Sequence, residues 1–287
     1  MNNGVLLFAN NNDQVDYVKQ AIFLAKNIKK QMGCGVAIAT DSPDYLNEQY
    51  KDHLDAVDHV IPIDWHVTQT NNYKRFRDGT MSEKNLMWKN TNRSSAYELT
   101  PFDQTIVLDT DVIINNDRYN ACWDQPEDFL IDSKPVDVHG TRVDVSFDRI
   151  SDKSVTFYWA TAFFFRKSAT TKIFFDTINH VKENYDFYRM IYQIIPTKLR
   201  NDFVFSIAIH IMNGFTANKE WPKPMPARMF MTTDKDMLHE IKNDSYLFML
   251  DKETHPGQYT VNSIKDVNIH CMNKFSLGRC IDKVLND

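Results

Sequence analysis

Thr105-Ile106-Val107-Leu108-Asp109-Thr110-Asp111 is the stretch on which the reading of this chain turns. A run of β-branched and apolar residues makes a short buried strand. It ends on two carboxylates spaced i, i+2, and on an extended backbone that spacing points both side chains the same way. Such a pair can hold one divalent cation together with the phosphate oxygens of a substrate, a common mode of Mg²⁺ binding. The D-x-D string by itself says little. Aspartate fills 30 of the 287 positions, so chance gives about three such strings, and two occur. Context separates them. Asp234-Lys235-Asp236 follows Thr232-Thr233 in a polar run and reads as a helix N-terminus. Asp109 and Asp111 close a buried strand, and open α/β sheets bind ligands at the carboxyl ends of their strands. The competing reading is a strand-end turn with solvated aspartates.

Upstream, the opening reads as strand, helix, strand. Val5 to Ala9 is an apolar run ending in Asn10-Asn11-Asn12-Asp13, a strand-to-helix turn rich in capping residues. Val15, Val18, Ile22, Ala25 and Ile28 recur at helical spacing. Lys29, Lys30 and Gly33 supply the stop. Gly35 to Asp41 is a second strand and Val57 to Ile63 a third. Alternating strands and helices predict parallel pairing with right-handed crossovers. Asn10 and Asp41 then stand at strand ends beside the carboxylate pair, where they either read a nucleoside or simply cap and turn the chain.

Downstream, Phe157 to Phe165 reads as a strand, with helices at about 168–185 and 201–213, a proline-rich loop at Trp221 to Pro226, and a last strand, Val267 to Ile269, ending at His270. His210, on an apolar helix, reads as a satisfied core histidine. Residues 71–93 hold six basic side chains against two acidic ones, with Tyr73, Phe76 and Trp88 interleaved.

Composition excludes several classes. With 43% hydrophobic, 13% aromatic and 25% charged residues, the chain is not disordered, collagenous or coiled-coil. A net charge of −5 does not announce a nucleic-acid binder. The longest apolar run is too short to span a bilayer, and no signal-peptide pattern opens the chain. Cys34, Cys122, Cys271 and Cys280 show no CxxC spacing. A reduced, cytoplasmic protein without a membrane partner is expected.

The run from Arg93 to Asp111 resembles the segment leading into the DxD motif of GT-A fold glycosyltransferases, with glycosyltransferase family 8 (the glycogenin-like and galactosyltransferase-like group) the nearest in pattern. The resemblance implies an α/β GT-A fold, a Rossmann-like mixed sheet flanked by helices. It implies residues 1–115 as the nucleotide-sugar half and 116–287 as the acceptor half, with a C-terminal metal and diphosphate segment. In that family a basic residue sixteen positions before the first aspartate touches the nucleotide sugar, and Arg93 stands there. Trp159 to Ser168 is similar to the strand lining the sugar and acceptor pocket, with Thr161 its remaining polar residue. Asn201-Asp202 resembles the family's aspartate-glutamine pair, with Phe203 in place of glutamine. Ile269 to Lys274 is similar to the segment whose histidine is the third ligand of Mn²⁺ and whose lysine grips the diphosphate.

These matches assign Asp109, Asp111 and His270 to Mn²⁺ or Mg²⁺, Arg93, Asp109 and Lys274 to a nucleotide-sugar donor of UDP type, and Asp202 with Thr161 to catalysis. On its own chemistry His270 suits Mn²⁺ as a borderline ligand, and Asp202 works equally as a helix cap. The acceptor is open. The 71–93 segment is either a lid over the donor phosphates or a surface for a polyanion such as hydroxymethylated DNA, the acceptor of bacteriophage DNA glycosyltransferases. Low glycine with abundant asparagine and methionine is in keeping with a phage member, which would place the protein in the host cytoplasm. The rivals are a nucleotidyltransferase of the same fold, lacking its glycine-rich phosphate loop here, and a binding module without turnover.

Overall fold

This computed structural model describes residues 2–64, 73–89, 91–140, 142, 148–151, 154–195, 198–216, 221–255 and 257–286. The first part runs β1 (Asn3–Ala9), α1 (Tyr17–Gln31), β2 (Gly35–Thr40), α2 (Pro43–Gln49), β3 (His59–Pro62), β4 (Tyr73–Asp78) and β5 (Ser82–Met87). Then come α3 (Ala96–Leu99), β6 (Gln104–Leu108), β7 (Val112–Ile113), β8 (Phe129–Ile131), β9 (Val136–Asp137) and β10 (Ala162–Arg166). The remainder is α4 (Ala169–Glu183), α5 (Tyr185–Ile191), α6 (Asn201–Met212), β11 (Phe230–Met231), β12 (Met237–Lys242), β13 (Ser245–Asp251), β14 (Tyr259–Lys265), β15 (Ile269–His270) and α7 (Lys274–Asn286).

Local chemistry accounts for the boundaries. The Asp16 carboxylate caps α1 by accepting from the Lys19 backbone N–H at 2.8 Å. Gly33, at φ 66°, closes the helix by donating to Ile28 O at 3.1 Å. Ser168 and Thr171 open α4 with a reciprocal capping box.

The central sheet has the order β3-β2-β1-β6-β10-β8. Its first four strands are parallel, as the strand-helix alternation predicts. β10 is antiparallel to both neighbours. It is reached from β6 through short strands and irregular chain rather than a helical crossover, so nothing forces it parallel. The sheet is buried on both faces. Val5, Leu7, Ile38 and Leu108 pack toward α1, while Leu6, Phe8, Val107, Phe163 and Phe165 pack with Phe174, Phe175 and Phe205 of α4 and α6. Both layers explain why the strands read as near-continuous apolar runs. The fold is thus α/β, a mixed sheet between helices, and strands from both the 1–115 and the 116–287 stretch build it.

Smaller sheets surround this core. β4 and β5 form a hairpin, β12-β13-β14 a meander, and β7-β15-β11-β9 a four-stranded patch. All four cysteines are free. Among the described residues no helix is long and apolar enough to cross a membrane.

Three expectations are corrected. Only the second half of Phe157–Phe165 is a strand. The N–H groups of Tyr158, Trp159 and Ala160 go instead to Ser206 Oγ (2.9 Å), Asp132 O (2.8 Å) and Asp202 Oδ1 (3.0 Å), so the segment is buried but belongs to no ladder. Asp234 to Asp236 lead into strand β12, not into a helix. The Asp236 carboxylate is sealed, accepting from Arg142 Nη1 (2.6 Å), Thr233 N (2.7 Å) and Asp251 N (2.8 Å). His210 is satisfied through Tyr192 Oη at 2.8 Å, but it is half-buried rather than in the core.

Candidate metal and diphosphate site

The strand order reverses between β1 and β6. The chain leaves β1 toward β2 and β3, then returns to pair on its other side. Ligands of open α/β sheets bind at such a switch point, outside the carboxyl ends of the strands. A cavity of about 300 Å³ opens there, and Asp109, Thr110 and Asp111 line it directly after β6.

Backbone geometry holds the carboxylates in place. Asp109 N donates to Thr161 O at 2.9 Å, and Val112 N to Asp109 O at 3.1 Å. β7 then pairs antiparallel with β15, with His270 opposite Val112, and Cys271 N donates to Asp111 O at 2.9 Å. That register brings a histidine 159 residues away alongside Asp111. His270 Nε2 lies 3.2 Å from Asp111 Oδ2 and 3.9 Å from Asp109 Oδ2. One ligand atom from each of Asp109, Asp111 and His270 falls within 4.8 Å of the others. Two carboxylate oxygens and an imidazole nitrogen fit Mn²⁺ or Mg²⁺. Cys271 is buried and its Sγ donates to Asn273 O at 3.8 Å, so it adds no thiolate to the set.

Each carboxylate is met by a cation. Arg93 pairs with Asp109 and also donates to Ala160 O; Lys274, at the start of α7, pairs with Asp111. Burial pushes the Asp111 carboxyl up, but Lys274 and His270 outweigh it and hold it well below the usual carboxylate range. Burial likewise pulls Lys274 down, and Asp111 overrides it, so the ammonium stays charged.

Asp202 and Thr161 lie on the same wall. Asp202 does not cap its own helix. It accepts from Ala160 N and pairs with Arg200 Nη2 at 2.8 Å. Burial raises its pKa, yet Arg200 and Arg93 bring it below the usual value, so it remains a carboxylate. Asn10 and Asp41 sit together at the ends of β1 and β2, with Asp41 N donating to Asn10 Oδ1 at 3.3 Å. They do not line the cavity. Asp41 is engaged by Lys89 Nζ at 3.1 Å and Ser42 Oγ at 3.0 Å.

Other lining residues escaped the sequence reading. Tyr17 opens α1, is 7% exposed, and its hydroxyl finds no partner although it faces the cavity. Its signal was an aromatic hydroxyl just after the Asn10–Asn12 turn. Arg200 stood next to Asn201-Asp202 in the sequence and gains meaning only through the ion pair. Tyr73, Lys74 and Trp88, members of the basic and aromatic 71–93 segment already singled out in the sequence, line the same space from the hairpin. Residues 65–72, which include the start of the basic segment, lie outside the described residues.

No protein-family model matches this sequence, and no curated protein matches it. Among solved structures the chain is similar to the galactosyltransferase LgtC in complex with donor and acceptor sugar analogues, at 12% identity, covering 71% of this chain and 70% of that one, TM-score 0.44. It is similar to mouse xyloside xylosyltransferase 1 in its apo form, at 11% identity, 75% and 83% coverage, TM-score 0.44. The bifunctional IspDF from Campylobacter jejuni gives 11% identity, 72% and 47% coverage, TM-score 0.36. At these identities and scores the likenesses assign no activity to this chain.

Proposed function

We propose that the protein is a glycosyltransferase of the GT-A type that moves a sugar from a nucleoside-diphosphate donor, UDP-linked, to a second substrate with the help of Mn²⁺ or Mg²⁺. One observation carries the reading. Asp109, Asp111 and His270 converge within 4.8 Å at the switch point of an α/β sheet, with Arg93 and Lys274 on the two carboxylates. A divalent ion held there supplies positive charge for the departing diphosphate.

The side chains divide the remaining work. Arg93 and Lys274 are cations beside the carboxylates, positioned to take phosphate oxygens as negative charge develops on them. Asp202, ionised and anchored by Arg200 and Ala160 N, offers negative charge to a sugar centre that becomes oxocarbenium-like. If the anomeric centre inverts, the same carboxylate is the base for the acceptor hydroxyl. Thr161 supplies a hydroxyl on the wall between Asp109 and Asp202.

The test is a calorimetric titration of UDP with and without Mn²⁺ on the wild type and on Asp111→Ala. Metal-dependent binding that disappears in the variant is the expected result. No UDP binding by the wild type in Mn²⁺ sinks the proposal. Turnover that releases pyrophosphate rather than UDP would instead make the enzyme a nucleotidyltransferase.

A further inference from the structure

The donor reaction leaves part of the cavity's charge unanswered. Five cationic side chains face this space, Lys74, Arg93, Lys198, Arg200 and Lys274, against three carboxylates. Three of the cations are matched: Arg93 by Asp109, Lys274 by Asp111 and Arg200 by Asp202. Among the described residues no carboxylate pairs with Lys74 or Lys198. A divalent ion and a nucleoside-diphosphate sugar cancel one another in charge, so a surplus of two cations remains after the donor is bound. Like charges gathered around one cavity repel, and an added anion lowers that repulsion.

Lys74 is the better placed of the two. It sits on β4, in a hairpin that leans over the cavity, with its Nζ 5.9 Å from the ring centroids of both Phe76 and Trp88. Lys274 Nζ lies over the same Phe76 ring at 5.9 Å. Lys74 is exposed as a residue, but its ammonium is crowded by protein and by the Lys274 and Arg200 charges, which together pull its pKa down to about 8. Among the described residues its ammonium is in no ion pair, unlike the cations already committed to Asp109 and Asp111. A lysine of this kind acts as a point charge for phosphate.

Resting on the glycosyltransferase reading, we propose that Lys74 and Lys198 form an anion subsite for the second substrate, and that the acceptor carries a phosphate group close to the hydroxyl that receives the sugar.

The probe is methyl phosphate, titrated by calorimetry into protein already saturated with UDP and Mn²⁺, and in parallel into the free protein. The wild type is expected to bind it in both states. Lys74→Gln is expected to weaken it by about tenfold, as loss of one charged contact does, while the UDP affinity stays within about threefold, the scatter expected of a peripheral charge. Lys74 is exposed, so the variant should fold. Four results would overturn the inference: methyl phosphate competing with UDP, which puts Lys74 in the donor site; no binding in either state; binding indifferent to Lys74→Gln; or acetate binding as tightly as methyl phosphate. Absence of UDP binding condemns the donor reading separately, because Lys74-dependent binding to the free protein still reports on the subsite.

Discussion

Asp111→Asn tests the metal site through stability, without any knowledge of the substrate. In the wild type the Asp111 side chain is 3% exposed and carries Lys274, which is 12% exposed, together with His270. Asparagine keeps the shape and removes the charge. Without metal the variant leaves a nearly buried ammonium unpaired, and breaking such a pair costs about 3 kcal/mol at the lower end of its range. With Mn²⁺ at about 100 times its Kd, the wild type gains about 2.7 kcal/mol. At about 2–4 °C per kcal/mol for chains of this size, that is a rise of about 5–10 °C in Tm. The variant should show almost none of it. Thermal unfolding with and without Mn²⁺ reads both quantities.

A double variant separates the two causes. If the metal-free loss is an unpaired charge, Asp111→Asn combined with Lys274→Gln should recover about half of it or more, because the stranded ammonium is gone. The Mn²⁺ response should stay absent in the double variant. A normal Mn²⁺ shift in Asp111→Asn would refute the ligand assignment, and a double variant no more stable than Asp111→Asn alone would refute the charge argument.

Three further predictions concern the scaffold. Arg142 binds Asp137 and Asp236, all with side chains at most 5% exposed, so Arg142→Ala should cost about 3–5 kcal/mol by stranding two buried carboxylates; a urea midpoint shift worth under about 1 kcal/mol would contradict this. Burial pushes the Asp132 carboxyl up to about 7, and its Oδ2 has no partner. A folded pKa above the unfolded value means the folded state binds the extra proton, so this group's contribution falls as pH rises from about 4 to about 7. Asp132→Asn should flatten that slope and gain up to about 4 kcal/mol at pH 8; an unchanged pH profile would refute it. Finally, a Cβ on Gly4 would lie 2.4 Å from the Phe102 ring, so Gly4→Ala should cost about 1–3 kcal/mol by overpacking, and a denaturation curve that overlays the wild type would count against the packing.

What the sequence disclosed depended on how local the cause was. β1, α1 and β2 were legible because their periodicity, cap and stop signals lie within a few residues of one another. Phe157–Phe165 was misread because an apolar run reports burial, not whether its N–H groups enter a ladder; three of them go to Ser206, Asp132 and Asp202. His270 beside Asp111 depends on the two-residue pairing of β7 with β15, which no local signal encodes, and only the family resemblance pointed to it. Gly4 and Gly35 are opposite one another across β1 and β2, and both leave room for Phe102, a requirement invisible until the strands are paired.

The two D-x-D strings show most clearly where local reading stops. They are alike in spacing and opposite in fate, and their partners account for the difference. Asp236 is held by two backbone N–H groups and a buried arginine. Backbone donors cannot turn away, so a cation arriving there would have to break the loop that makes them. Asp109 and Asp111 are instead met by Arg93, Lys274 and His270, side chains on long or rotatable stems at the edge of a cavity. Arg93 and Lys274 balance the carboxylate charge and can pass to phosphate oxygens when a divalent ion takes their place, with His270 joining that ion as a ligand. A carboxylate pair is therefore a candidate metal site when its partners are able to leave, and spacing along the chain does not reveal that property.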